Sequence, residues 1–243
     1  DEYSSNFNKV RNIIKIEGFK NRGFAGNLSF DSFGKLYLSV GDGGPQPGKN
    51  IQDNDAQNLN SLKGKILRLD VSDLKLEPEI IAYGIRNPWG VNIDSKDRMF
   101  ILQCGHGITE AVYLLNDLYS GIPLNLGWPV FEGSLRTSYD LTKKKNPLIF
   151  DDVLAPIYET DVRPGCFTAG LYLDDIDLFL FGDFYGTIRL LKQQENGDWY
   201  LFHEEKENTG IWGFGLDNKT KKIFIAPKNL ELEILIDSAK LNQ

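Results

Sequence analysis

Few side chains in this sequence are suited to proton chemistry near neutral pH. The histidines are His106 and His203 alone, and imidazole is the side chain whose ordinary pKa lets it serve as base or acid there. Asp42 lies within Gly41-Asp42-Gly43-Gly44, and Arg86-Asn87 within Gly84-Ile85-Arg86-Asn87-Pro88. Two readings are open for each. Asp42 is either a site carboxylate or a turn residue bonding nearby backbone N–H groups while the glycines take positive φ. Arg86 is either a site cation or a buried ion-pair partner of Asp42. A lone His106 reads first as structural, Asp151-Asp152 as a solvated loop, and Asn125, Trp128 and Pro129 as loop scaffold. The cysteines, Cys104 and Cys166, are too few for a disulfide-stapled fold. They form either one disulfide, which points to an oxidising compartment, or two buried thiols.

Short strands are expected to position these residues. Apolar runs of five to eight residues are cut by Gly, Asn and Asp, with no long 3.6-period stripe, so the fold class is all-β. Expected strands cover 10–17, 26–30, 35–40, 64–71, 79–84, 89–93, 98–103, 110–115, 156–159, 167–173, 178–181, 187–192, 199–203, 212–216, 222–226 and 231–236. A motif recurs: an apolar strand, Asp, a short polar turn, then a strand of Leu/Ile-Tyr/Phe-hydrophobic type. It runs from Leu28 to Leu38, from Val91 to Ile101 and from Phe214 to Ile225, and more loosely from Gly170 to Phe181. Units of roughly 45–65 residues holding about four strands each are the signature of propeller blades. An immunoglobulin-like sandwich would use fewer strands and leave the repeat unexplained. About four blades are visible. Residues 1–25 read as a leading strand from an adjacent blade and 26–243 as the blade units, within one propeller domain or a piece of one. The exposed edge of such a blade invites a protein partner.

Composition removes several function classes. The 243 residues carry 27 basic and 34 acidic side chains, a net charge of −7, with 41% hydrophobic and 25% charged residues. That is an ordinary globular balance. No apolar run is long enough for a membrane helix. The basic residues are scattered apart from Lys143-Lys144-Lys145, which argues against nucleic acid as a partner. The start at Asp1 without Met fits a processed chain or a fragment. Asn27-Leu28-Ser29 and Asn218-Lys219-Thr220 are N-glycosylation triplets.

Six stretches in register carry a family resemblance. They are Gly34–Gly44, Asp55–Asp70, Ala82–Gly90, Asn125–Gly133, Pro156–Glu159 and Phe181–Gly186. With them the chain resembles the glucose/sorbosone dehydrogenase superfamily, which includes soluble quinoprotein sugar dehydrogenases and hedgehog-interacting-protein-like proteins. The resemblance implies a six-bladed propeller of which these are the later blades, so about two N-terminal blades are expected elsewhere. It also implies pyrroloquinoline quinone (PQQ) and calcium over the axis, a histidine that takes the sugar hydroxyl proton, and carbohydrate as ligand. Arg86 and Asn87 match the pair beside the quinone, and Asp42 the acid beside the base. Gly105 and His106 match the loop whose backbone carbonyls bind calcium, an ion that prefers oxygen ligands.

The resemblance breaks at the base. Counting back from Asp42, the histidine position falls at Gly23, or at Arg22 with a one-residue shift. Neither accepts a proton at neutral pH, which leaves Asp42 and a displaced His106 as catalytic candidates. Phe184 stands where the resemblance expects a lysine, and Ile211-Trp212-Gly213-Phe214 holds neither of two expected arginines. The expected function is a propeller that has lost catalysis and serves in binding or structure, secreted or in another oxidising compartment. The alternative is a PQQ- and calcium-dependent sugar dehydrogenase with a displaced base.

Overall fold

The computed structural model describes residues 12–17, 23–24, 26–44, 51, 54–72, 77–140, 152–160, 165–228 and 233–237. Eighteen strands and no helix occur among them, so none of the described residues forms a helix able to cross a membrane. The first main sheet runs β1 (Leu28–Phe30), β2 (Leu36–Val40), β3 (Lys65–Leu69) and β4 (Glu79–Tyr83), extended by β8 (Leu124–Asn125), which pairs parallel to β4. The second is β5 (Pro88–Ile93), β6 (Met99–Gln103), β7 (Ala111–Leu115) and β11 (Tyr158–Glu159). The third is β12 (Phe167–Leu173), β13 (Leu178–Asp183), β14 (Thr187–Gln193) and β15 (Trp199–Lys206). The fourth is β16 (Ile211–Asp217), β17 (Lys222–Pro227) and β18 (Glu233–Asp237), and a small hairpin joins β9 (Phe131–Glu132) to β10 (Leu135–Arg136).

These sheets stack face to face as propeller blades, and the side-chain alternation shows why. In β6, Met99 and Ile101 face the first sheet, packing with Tyr37, Ile66 and Ile81. Phe100 and Leu102 point the other way, onto Phe167, Phe179 and Phe181 of the third sheet. A strand sandwiched between two sheets needs apolar residues at every position, which accounts for the unbroken run Met99-Phe100-Ile101-Leu102. β13 repeats the device: Phe179 and Phe181 face the second sheet, while Leu178 and Leu180 meet Ile211, Ile223 and Ile225 of the fourth.

The recurring Asp has a physical role. Oδ1 of Asp31 accepts from the N–H groups of Phe33 and Lys35, and Oδ1 of Asp94 from those of Lys96 and Arg98. Such side-chain caps close the turn between the first two strands of a blade. Gly34, Asp97, Asp177 and Lys221 take left-handed backbone conformations in the corresponding turns of the four sheets. Turns of neighbouring blades are also tied together, since Ser32 donates to Asp97 and Ser95 to Asp174.

Two strand expectations change. Residues 12–17 form no ladder; Ile14 and Ile16 instead pack on Leu36, Val40, Leu67 and Leu69 of the first sheet, with Ile13 outward. Period-2 alternation reports which side faces apolar surface and carries no information on hydrogen bonding. The strand expected at 156–159 shrinks to β11, which returns to close the second sheet after a long excursion. Arg22, Lys143, Lys144, Lys145 and Asp151 lie outside the described residues.

Candidate functional site

Antiparallel pairing fixes which loops meet. The innermost strand of each sheet begins opposite the end of its second strand: Leu28 pairs with Leu38, Pro88 with Gln103, Phe167 with Asp183 and Ile211 with Pro227. Gly23, Asp42, Arg86, Asn87, Cys104, Gly105, His106, Cys166, Phe184 and Lys228 therefore flank the same end of the sheets.

Asp42 is buried and its carboxylate is fully engaged. Oδ1 accepts from the Gly44 N–H (2.8 Å), and Oδ2 from Asn54 Nδ2 (2.6 Å) and Trp128 Nε1 (2.7 Å). Burial raises its pKa above the ordinary carboxylate value; the Gly44 N–H, the charge of Arg86, and the Trp128 and Asn54 donors pull the other way. Gly23 takes φ +66°, and a Cβ built on it would lie 3.0 Å from Asp42 Oδ1. Gly41 is required by the same contact region, because its Cβ would fall 1.8 Å from the Gly23 carbonyl oxygen. Asp42 is thus both the turn residue and a carboxylate facing the Gly23 position.

Arg86 is also buried. Its Nη1 donates to the carbonyls of Cys104 (2.9 Å) and Gly105 (2.5 Å) and lies 3.6 Å from Cys104 Sγ. Asn87 is buried beside it, with no hydrogen-bond partner for Oδ1, and its carbonyl accepts the Cys104 N–H. Cys104 and Cys166 are joined in a disulfide. The Cys166 carbonyl accepts the Phe184 N–H, so this bond ties the Arg86–Asn87 corner of the second sheet to the Phe184 corner of the third. His106 is half-buried, its ring 5.4 Å from that of Trp128. His203 lies apart, in the exposed outer strand β15.

Aromatic side chains pack beside this corner. Trp89 and Trp212 stack with ring centroids 5.7 Å apart and planes 21° from parallel. They belong to the second and fourth sheets, with the third sheet between, so the pair reaches across the inner strands. Phe184 meets Trp212 edge-on at 5.5 Å, and Lys228 Nζ sits 4.4 Å above the Phe184 ring.

Sequence reasoning passed over several residues that build the site. Trp128, read as scaffold, donates directly to Asp42. Glu132 is buried and its Oε1 accepts from the N–H groups of Gly107, Ile108 and Thr109, shaping the loop after Cys104. Lys65 is fully buried and donates to the carbonyls of Asp55, Ala56 and Lys63. The stretch Lys63-Gly64-Lys65 carries no signal that separates an exposed lysine from a buried one. Asn27 is engaged as well, accepting from the Val91 N–H, whereas Asn218 is exposed in its turn.

Comparison with known proteins adds the following. A family model described as glucose/sorbosone dehydrogenase matches residues 1–171. The HIPL1 protein of Arabidopsis thaliana is 34% identical over 141 residues, which is 45% of this chain and 19% of that protein. The chain thus spans about a fifth of the length of this curated relative. The PQQ-bound aldose sugar dehydrogenase of Streptomyces coelicolor superposes with a TM-score of 0.58 at 19% identity, over 83% of this chain and 55% of that one. The holo PQQ domain of pyranose dehydrogenase from Coprinopsis cinerea does so with a TM-score of 0.64 at 13% identity, over 90% and 71%. At these identities the structures speak to the fold, a β-propeller.

Proposed function

The chain belongs to the glucose/sorbosone dehydrogenase family, and we propose that it keeps the family's propeller as a binding or structural scaffold without oxidising sugars. The observation that carries this reading is Gly23. Its missing Cβ would point at Asp42 from 3.0 Å, the direction from which a base paired with that acid would project, and glycine projects nothing.

The donor set supports the same reading. A polyanionic quinone needs uncommitted cations to hold its carboxylates. Among the described residues near Asp42, Arg86 directs Nη1 at two carbonyls and Lys65 directs Nζ at three. Lys228 lies over an aromatic ring, Phe184 stands where the resemblance expects a lysine, and Ile211-Trp212-Gly213-Phe214 holds neither of two expected arginines. The Gly105 carbonyl, expected to bind calcium, already has a guanidinium nitrogen at 2.5 Å, and a second cation there would be repelled. These residues do not fit PQQ with calcium.

One contact favours the alternative, a PQQ- and calcium-dependent sugar dehydrogenase with a displaced base. His106 packs on Trp128, which donates to Asp42, so an imidazole does stand near the acid. The test is dye reduction by the purified protein with added PQQ, calcium and a panel of aldoses. No turnover above a protein-free control is expected; turnover abolished by Arg86→Ala overturns the proposal.

The structural half of the reading rests on the first sheet, where Leu28, Phe30 and Phe33 are 59%, 57% and 70% exposed. A protein partner presenting an apolar sheet face would cover them. The disulfide supports a secreted or otherwise oxidising setting.

A further inference from the structure

We propose that Asn218 carries an N-linked oligosaccharide and that Asn27, the other asparagine in an acceptor triplet, does not. The inference goes beyond the scaffold reading and rests only on its oxidising setting, because disulfide formation and this modification share the secretory route. Asn27-Leu28-Ser29 and Asn218-Lys219-Thr220 meet the residue requirement equally, so the choice between them falls to the tertiary structure.

The two asparagines differ in what surrounds them. Asn27 is half-buried where the first sheet meets the second. Its Oδ1 accepts from the Val91 N–H (3.3 Å), its own N–H donates to Ser39 Oγ (3.0 Å), and its carbonyl accepts the Ser39 N–H. A bulky substituent on Nδ2 would crowd that junction. Asn218 stands in the turn between β16 and β17, where Asn218, Lys219 and Thr220 are all exposed. Asp217 closes this turn: its carbonyl accepts the Lys221 N–H (2.7 Å), Oδ1 the Lys219 N–H (2.9 Å) and Oδ2 the Thr220 hydroxyl (2.5 Å). These bonds do not use the Asn218 side chain, so a sugar on Nδ2 costs the turn nothing. The hairpin register also sets the turn far from the candidate site. Asp217 pairs with Lys222 beside the turn, whereas Ile211 pairs with Pro227 at the site end. A glycan on Asn218 leaves the Asp42 and Arg86 end open.

The donor class is a lipid pyrophosphate-linked oligosaccharide. Asn218 Nδ2 bonds to C1 of the first sugar as the bond from C1 to the pyrophosphate oxygen breaks. The lipid pyrophosphate leaves with that electron pair, and Nδ2 gives up one proton to solvent. The product is a large, polar, surface-seeking group, which an exposed turn accepts and a sheet junction does not.

The test is secretion of the whole chain from cultured animal cells behind a cleavable secretion signal, followed by intact mass and peptide mapping. Peptide N-glycosidase in heavy-oxygen water marks each glycosylated Asn as a labelled Asp. The mass increase of a single oligosaccharide is expected, with the label at position 218 alone. Asn218→Gln and, separately, Thr220→Ala are expected to abolish the increase. Ser29→Ala, which removes the other triplet without touching Asn27, is expected to leave it unchanged. If the chain is retained in the cells, the retained pool is mapped in the same way. Label at Asn27, with or without Asn218, or label at neither overturns the inference. Alkylation of the same sample separates this outcome from the setting. A formed Cys104–Cys166 bond with unmodified Asn218 overturns the inference alone, and free thiols with unmodified Asn218 overturn the oxidising setting with it. Dye reduction tests the non-oxidising scaffold independently of either result.

Discussion

Gly23 and Asp42 face each other across a gap that any side chain on Gly23 would close. The built Cβ is 3.0 Å from Asp42 Oδ1, while the carboxylate takes its hydrogen bonds from Gly44, Asn54 and Trp128. The acid is held in position, and no imidazole projects from Gly23 for it to orient.

Placing an imidazole at position 23 is expected to cost stability without giving activity. Gly23→His forces an L-residue to φ +66°, a strain of about 1–2 kcal/mol, and presses its Cβ on Asp42. Calorimetry should show a lower melting temperature, and dye reduction with PQQ, calcium and aldose should stay at background. Robust turnover would mean that the base was the sole missing part and that the cations present suffice.

Asp42 makes stability depend on pH. Burial raises its folded pKa above the unfolded value of 3.8, so the folded chain holds the proton more tightly. The stabilisation from that proton is complete below the unfolded pKa and is lost as pH rises through the folded one. Asp42→Asn removes this dependence and turns an amide NH₂ towards existing donors, a loss of about 1–3 kcal/mol. Urea unfolding at several pH values should show the native protein's advantage over Asp42→Asn shrinking as pH rises from about 4.

Lys65 is expected to behave with the opposite slope. Burial lowers its pKa to about 7 from 10.5, so between those values the unfolded chain holds a proton that the folded chain has released. Stability from this group therefore rises with pH across that window, and Lys65→Met should abolish the rise. The same substitution strips the donor from the Asp55, Ala56 and Lys63 carbonyls, and urea unfolding at pH 7 should show a loss of about 3 kcal/mol or more.

The disulfide closes a sequence separation of 62 residues. The chain-entropy argument gives about 4 kcal/mol for a loop of that order, with measured cases commonly about 2–4. The double substitution Cys104→Ser with Cys166→Ser should lower unfolding free energy by that amount. Unfolding by urea with and without reductant should give the native protein the same drop.

The all-β class was legible from the amino acids, as was the Asp that caps the turns at Asp31, Asp94 and Asp217. Alternation and turn chemistry act over a few residues, whereas the two buried faces of Met99–Leu102 emerge only from the packing of neighbouring sheets. That Gly23, or Arg22 with a one-residue shift, stands at the expected spacing before Asp42 was also readable, since it is a matter of residue type at a distance along the chain. The partners were not. Trp128 lies 86 residues from the Asp42 it bonds, and Arg86 turns its guanidinium to carbonyls 18 and 19 positions onward. Lys65 inside the protein looks like any surface lysine in the chain. Residues 12–17 alternate as a strand does, but only packing decided that they would lie on a sheet face. The Trp89–Trp212 stack joins sheets separated by a third. Local preference falls off within a turn or a hairpin, while long-range contacts are chosen by how complete sheets fit together, and that fit brought scattered tryptophans, carbonyls and one carboxylate to the same end of the sheets.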